Sequence, residues 1–176
     1  MDGSTLNVKE HTGRNSGTLR LSYNNELRSF SVLADLSGQR TSVLANGWDV
    51  AGKTGIQHEA TDSVISAELN GDTSGVSLLR SALGERKESL AHTVPLTSQE
   101  AQATAETFFK LSARRFVAGR GVAQTDPRMR VGGYVDLQGL GPLFTGKYYL
   151  TDVRHLFDGK QGLRTEFTGE RPGIGR

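Results

Sequence analysis

A chain of 176 residues is long enough for one domain with a sizeable core. Its apolar share is only 35%, and it carries 22 glycines, a combination that points to a turn-rich β protein or to a piece of a larger assembly. A formal net charge of +2 is too small to argue for nucleic acid, and the absence of cysteine excludes disulfides and thiolate–metal sites.

Arginine outnumbers lysine by fifteen to six, which suits planar ion pairs and interfaces. No run of about 18 apolar residues is present to span a membrane as a helix. The polar start, MDGSTLNVKEHTGRNSGTL, lacks the apolar region of a secretory signal, so export is expected only by lysis or inside a particle.

Residues 1–18 are polar, rich in Gly, Ser and Asn, and without period, and read as a flexible segment. In TLRLSYNNELRSFSVLADLSG, Leu19, Leu21 and Tyr23 alternate with polar residues, Asn24-Asn25 turns the chain, and Leu27, Phe30 and Val32 follow, predicting a two-stranded hairpin. RTSVLANGWDV predicts a third strand, with Val43 and Ala45 on one face, Leu44 on the other, and a turn or bulge at Asn46-Gly47 before Trp48.

From Asp62 to His92 the pattern is polar and punctuated, and is expected to be weakly structured. Within it SGVSLLRSALG places Val76, Leu79 and Leu83 at helical spacing with Gly84 as a stop, while ELNGDTSG and GERKESLAH are expected to be loops. PLTSQEAQATAETFFKLSARRFV predicts the clearest helix. Thr97 and Glu100 form a capping box, in which each side chain takes an orphan backbone N–H. Ala101, Ala105, Phe108, Phe109, Ser112 and Phe116 share the face expected to dock on a sheet; Gln102, Glu106, Lys110 and Arg114 share the other.

The last third reads as β: RMRVGGYVDLQG, then a turn GLGPLF, then the long strand TGKYYLTDVRHLFDG and its return GLRTEFTGER. Tyr149, Thr151, Val153, His155 and Phe157 share one face of the long strand, and Tyr148, Leu150, Asp152, Arg154 and Leu156 the other. Both are partly apolar and are expected to be partly covered. The order is β, helix, β, so the two β parts must pair across the insertion 61–117.

The chemistry in this pattern is sparse. GLGPLFTG is neither a dinucleotide fingerprint nor a phosphate loop and is not expected to open a helix; Pro142 and glycines 139, 141 and 146 suit turns with positive φ or close backbone approach. His11, His58, His92 and His155 have no metal-ligand spacing, so no metal or cofactor is expected. His155, beside Arg154 and near Asp152, lacks a nucleophile elbow and reads as a hydrogen-bonded structural histidine. Asp136, Asp152, Glu166 and Glu170 offer carboxylates for sugar cleavage, but no spacing selects a pair. Arg114, Arg115, Arg120, Arg128 and Arg130 form a basic strip with only Phe116 as an interleaved aromatic, which favours a solvated or subunit-facing strip over nucleic acid.

Two stretches carry a family likeness. NELRSFSVLADLSGQRTSVLANGWD resembles a segment of phage late control gene D proteins and VgrG-type spike proteins. The stretch from Pro95 to Arg171 resembles that family's helix and Gly-rich β ending, with Thr145-Gly146 where Ser-Gly is frequent and Asp126-Pro127 where Gly-x-Pro is usual. The likeness spans residues 19–171, with 172–176 as a tail. It implies a mainly β (α+β), β-barrel-like hub domain with an inserted amphipathic helix, forming a pseudo-sixfold ring as a homotrimer. The function implied is structural and non-enzymatic: a baseplate hub or spike component of a contractile injection machine, adapting a sixfold tube to a threefold spike. Its implied partners are sister subunits, an inner tube or baseplate protein and a spike or tip protein. Assembly would take place in the cytoplasm, and the final location would be a virion tail or injection-particle baseplate. The family's usual preceding barrel and the spike that many members carry after it are not in this sequence, so a fragment, a processed piece or one half of a split hub is expected. The framework and interface candidates are Trp48, Gly132, Tyr134, Gly139, Gly141, Gly146, Tyr148, Tyr149, His155, Phe157 and Phe167. The rival readings are a tail-associated cell-wall hydrolase and a small basic nucleic-acid-binding β-barrel.

Overall fold

The computed structural model describes Ser4 and residues 18–175, and the reading of the N-terminal segment falls otherwise outside the described residues. The fold is mainly β, as expected, and its strands do pair across the insertion. The chain forms two compact units: one of residues 1–31, 119–141 and 145–169, the other of residues 32–118, 142–144 and 170–176.

The first unit is built on a six-stranded sheet of β1 (Thr18–Ser22), β2 (Leu27–Ala34), β7 (Val117–Ala123), β8 (Tyr134–Gln138), β9 (Gly146–Asp158) and β10 (Gly162–Arg171), in the order β1-β8-β9-β10-β7-β2. β1 pairs parallel with β8, Thr18 opposite Tyr134, and β8 pairs antiparallel with β9, Tyr134 opposite Tyr149. The predicted strands at 19–32 exist, but they are not a paired hairpin. They lie at opposite ends of the strand order, joined by a tight turn at Asn24-Asn25 with a single bridge between Tyr23 and Leu27. Edges joined by so short a turn require the sheet to curl, giving a half-barrel.

Aromatic rings fill the half-barrel, and glycines make the room. Phe30 meets the fully buried Tyr148 edge-on at 5.3 Å and stacks on Phe167 at 6.1 Å. Gly119 and Gly121 lie two apart on β7, hence on one face. A Cβ on Gly119 would stand 2.3 Å from Phe30, and one on Gly121 would stand 2.5 Å from Phe167. This pairing of bare strand positions with large rings is what the unpatterned VAGRGVA encodes.

The second unit holds a three-stranded sheet, β4 (Thr54–Ala60), β3 (Ser42–Asp49) and β6 (Lys87–Leu90), with β4 antiparallel and β6 parallel to β3. On it lies α3 (Ser98–Arg114), whose Ala101, Ala105, Phe109 and Ala113 form a core with Val43, Ala45, Ile56, Ala60, Ile65 and Val76. Small residues on the helix let its axis approach the sheet, and Phe109 supplies most of the bulk.

Several expectations for this unit are corrected. Asn46-Gly47 is neither turn nor bulge, because the β3–β4 register runs unbroken through it. Gly47 is bare because the Pro95 carbonyl oxygen would sit 2.1 Å from its Cβ. The stretch 62–92 is well structured: a 3₁₀ turn Asp62–Ile65, α1 (Ser66–Leu69), β5 (Thr73–Ser74), α2 (Gly75–Leu83) and β6, which lies in a predicted loop. Val76 and Leu79 of α2 are buried as expected, but Leu83 is exposed. The cap of α3 differs by one residue from the ideal box. Thr97 Oγ1 accepts the Glu100 N–H at 3.1 Å, but the Glu100 carboxylate takes the N–H of Leu96, not of Thr97. Phe108 is turned away from the sheet, and Arg114 of the predicted polar face is buried, its guanidinium bound in two places by Glu68 at 2.7 and 2.8 Å.

In the C-terminal third, β8 is five residues and 128–133 are turns and irregular chain. GLGPLF opens a single helical turn, α4 (Gly141–Phe144), with Pro at its start, where a proline costs no hydrogen bond. The chain end, β11 (Gly173–Ile174), pairs antiparallel with β5.

Candidate functional site

The candidate glycines of the Gly-rich stretch are turn residues. Gly132, Gly139, Gly141 and Gly146 have φ of 86, 79, 81 and 138°, a region that an L side chain rarely adopts. Gly132 also donates its N–H to the Leu150 carbonyl at 2.9 Å, with Leu150 donating back to Gly133, so it joins the loop to β9. The four-residue α4 is too short to present an anion site.

The remaining candidates divide between core and surface. Tyr148 and Phe167 are core rings of the half-barrel. Tyr149 meets Tyr134 edge-on at 5.4 Å, and Lys147 Nζ lies 4.3 Å above the Tyr134 ring. Trp48 is half-exposed, opposite Gly55 on the face of β3 turned from the core. Phe157 is 80% exposed, so the far end of β9 is uncovered, against expectation.

His155 is hydrogen-bonded. Its Nδ1 lies 2.8 Å from Thr165 Oγ1, and that hydroxyl donates to Thr125 Oγ1 at 3.1 Å. With its one proton given to Thr125, Thr165 accepts from Nδ1–H, which leaves the lone pair on Nε2. In this tautomer His155 does not take a proton from Thr165, and the pair is not a nucleophile–base arrangement.

Of the four carboxylate candidates, the structure gathers two. Asp152 and Glu166 line a shallow cleft of about 300 Å³ with Arg120, Arg154, Phe167 and Thr168. Glu166 is engaged by Arg154 at 3.9 Å and by Arg164 at 3.7 Å. Asp136 accepts from Arg20 and Gln138 elsewhere in the same unit. Glu170 belongs to the other unit, where burial pushes its carboxyl up and the Arg115 and Arg114 charges pull it back.

The basic strip does not present a row of available cations. Arg114 is committed to Glu68, and Arg128 holds Asp126 at 2.7 Å. Arg130 reaches the Pro127 carbonyl, and Arg120 lines the cleft. No cluster of three or more metal-binding side chains occurs among the described residues.

One surface escaped the sequence reading. A groove of about 560 Å³ runs between the end of β6 and α3, lined by Leu90, His92, Thr93, Phe108 and Leu111 and flanked by Glu100. Val94 and Leu96 are exposed beside it in sequence. The signal was the second apolar stripe of α3, Phe108 and Leu111, which the single-face reading absorbed into the core or passed over.

Comparison with known proteins sets this fold in context. The 43 kDa tail protein of prophage MuSo2 from Shewanella oneidensis matches with a TM-score of 0.57 at 12% identity over 89% of this chain and 44% of that one. The tail protein from Neisseria meningitidis MC58 matches with a TM-score of 0.56 at 11% identity over the same shares. A chain of the virion of a native gene transfer agent particle matches with a TM-score of 0.51 at 14% identity, covering 88% of this chain and 31% of that one. The chain thus spans less than half the length of these tail and particle proteins and shares their fold over that span. No curated protein matches by sequence. Residues 1–158 match the family model described as the Alg8 N-terminal domain, and the chain belongs to that family.

Proposed function

We propose that this chain is a structural, non-enzymatic component of a phage-tail-type particle, and more narrowly a hub domain of a contractile injection machine that joins a sixfold tube to a threefold spike as a homotrimer. The observation that carries the reading is the likeness of 89% of the chain to a prophage tail protein and to a tail protein from Neisseria meningitidis, with a gene transfer agent virion chain beside them. The curled sheet, whose strand edges are open among the described residues, suits a part completed by neighbours. The sister subunits, an inner tube or baseplate protein and a spike or tip protein are its partners in this reading, with assembly in the cytoplasm and a final place in the particle. Trp48 and Phe157, both exposed, are interface candidates, while Tyr148 and Phe167 serve the framework.

The test is made on particles. Tails or injection particles purified from the producing cells are analysed by mass spectrometry, and the gene is deleted in parallel. The chain is expected in the particles at a threefold-symmetric copy number, and the deletion is expected to stop assembly at the tube–spike junction. Particles that lack the chain and form normally without it would overturn the reading.

The cleft with Asp152 and Glu166 is the observation that keeps a wall-cleaving reading in view. Release of soluble fragments from peptidoglycan, lost on Glu166→Gln, would favour it over the structural one.

A further inference from the structure

The β9–β10 hairpin ends in an apolar knob. His155 bonds Thr165 and Arg154 approaches Glu166, a register that places Phe157 opposite Leu163 across the hairpin. Both side chains are more than half exposed, and Gly162, at φ 70°, closes the turn beside them. The turn is built firmly: Asp158 accepts the N–H groups of Lys160 and Gln161 and holds Arg164. With Asp158 and Arg164 paired, Lys160 is the uncommitted cation of the tip. β8 covers β9 only to Tyr149, with Gly132 and Gly133 extending cover to Leu150; from Thr151 onward β9 outruns that neighbour and, among the described residues, offers a strand edge.

The α3–β6 groove has the opposite character. It is concave, apolar at Leu90, Phe108 and Leu111, and flanked by the acidic Glu100. Among the described residues β6 pairs with β3 on one side only, so its outer edge is open where its continuation lines the groove. The chain therefore carries a basic-tipped apolar knob with a free edge and an acidic-flanked apolar groove with a free edge.

We propose that the hairpin tip of one copy seats in the α3–β6 groove of the next copy, Phe157 and Leu163 against Phe108 and Leu111, with Lys160 facing Glu100. Such a contact is heterologous: each copy gives one surface and receives the other, which closes a ring when the rotation permits. The exposed rings supply a buried aromatic anchor, and the two free edges supply main-chain hydrogen bonds. The inference rests on the ring reading above and names the surfaces that make the ring.

The chain's lack of cysteine makes the test direct. A Phe157→Cys chain is mixed with a Leu111→Cys chain under mild oxidation, and the heterodimeric disulfide is quantified by mass spectrometry. Leu83→Cys, which lies on α2 and is more exposed than Leu111, replaces Leu111→Cys as the control. The expected result is a cross-link in large excess over the control, together with self-association of the unmodified chain that Phe157→Asp weakens about tenfold or more in light scattering. Because Phe157 is so exposed, that variant keeps its fold, which circular dichroism checks. Association without excess cross-link, or unaltered by Phe157→Asp, would overturn the inference and leave the ring reading intact. A chain monomeric at every concentration and uncross-linked would also overturn it, while the chain's presence in particles would still decide the ring reading.

Discussion

The two units reach close packing by opposite routes. In the half-barrel, large rings carry the bulk and the strand facing them is stripped: Phe30 and Phe167 press on Gly119 and Gly121, and Tyr148 on Gly169. In the sheet–helix unit the helix itself is stripped. Ala101, Ala105 and Ala113 lie on the sheet, and Phe109 is the one large side chain the helix adds to that core. The lesson is that the small residue goes on whichever element must approach closest. The cost of enlarging it differs, since a ring pressed on a strand has no free direction in which to retreat.

Four substitutions break or sharpen this comparison. The largest effect is expected from Phe109→Ala, which empties the centre of the helix–sheet core and should lower stability by about 3–5 kcal/mol in urea unfolding. Gly121→Ala tests the opposite route. The added methyl meets Phe167 at 2.5 Å and Phe30 at 3.0 Å, and should cost about 1–3 kcal/mol. Gly55→Ala, which meets nothing within 4 Å, should be neutral or slightly stabilising in the same assay. If Gly121→Ala is as mild as Gly55→Ala, the account of the half-barrel fails. Thr97→Ala removes the hydroxyl that caps α3 and should cost about 1 kcal/mol.

Acid should separate the units further. Asp158 in the hairpin turn is held at about 2 by the Gln161 N–H, then by Arg164 and the Lys160 N–H. A lowered folded-state pKa means that its contribution is present above 3.8 and is lost as pH falls towards 2. Glu170 runs the other way. Burial raises its folded pKa above 4.5, so its contribution is complete below 4.5 and is lost as pH rises through the raised value. Asp158→Asn should therefore remove a loss of hairpin order seen by NMR between pH 4 and 2, and Glu170→Gln should flatten a decline in stability above pH 4.5. Identical pH profiles for variant and parent chain would contradict the assignment.

Much of the fold was legible because it is written locally. The alternation of β10, the Thr97 cap and the Gly84 stop depend on neighbours within a few residues, and all appear, whereas the alternation of β9 slips by one residue at Arg154–His155. β6 was missed because KESL has no pattern of its own and becomes a strand only by pairing with β3. The candidate site was less legible. Phe157 and the turn glycines could be named from sequence, but the groove that complements the tip needs residues 90–93 and 100–111 brought together in space.

By itself the sequence determined the mainly β class, the inserted helix and its cap and the turns that demand positive φ, since each follows from short-range geometry or from residues in order. Only the tertiary structure decided that β1 and β2 lie at opposite ends of one curled sheet, that Phe109 and not Phe108 enters the core, and that Arg114 is buried against Glu68. The reason is physical: burial and strand partnership depend on which distant segments arrive beside a residue, and an apolar stripe or an arginine on a helix has the same local pattern whether it meets a sheet, a carboxylate or water.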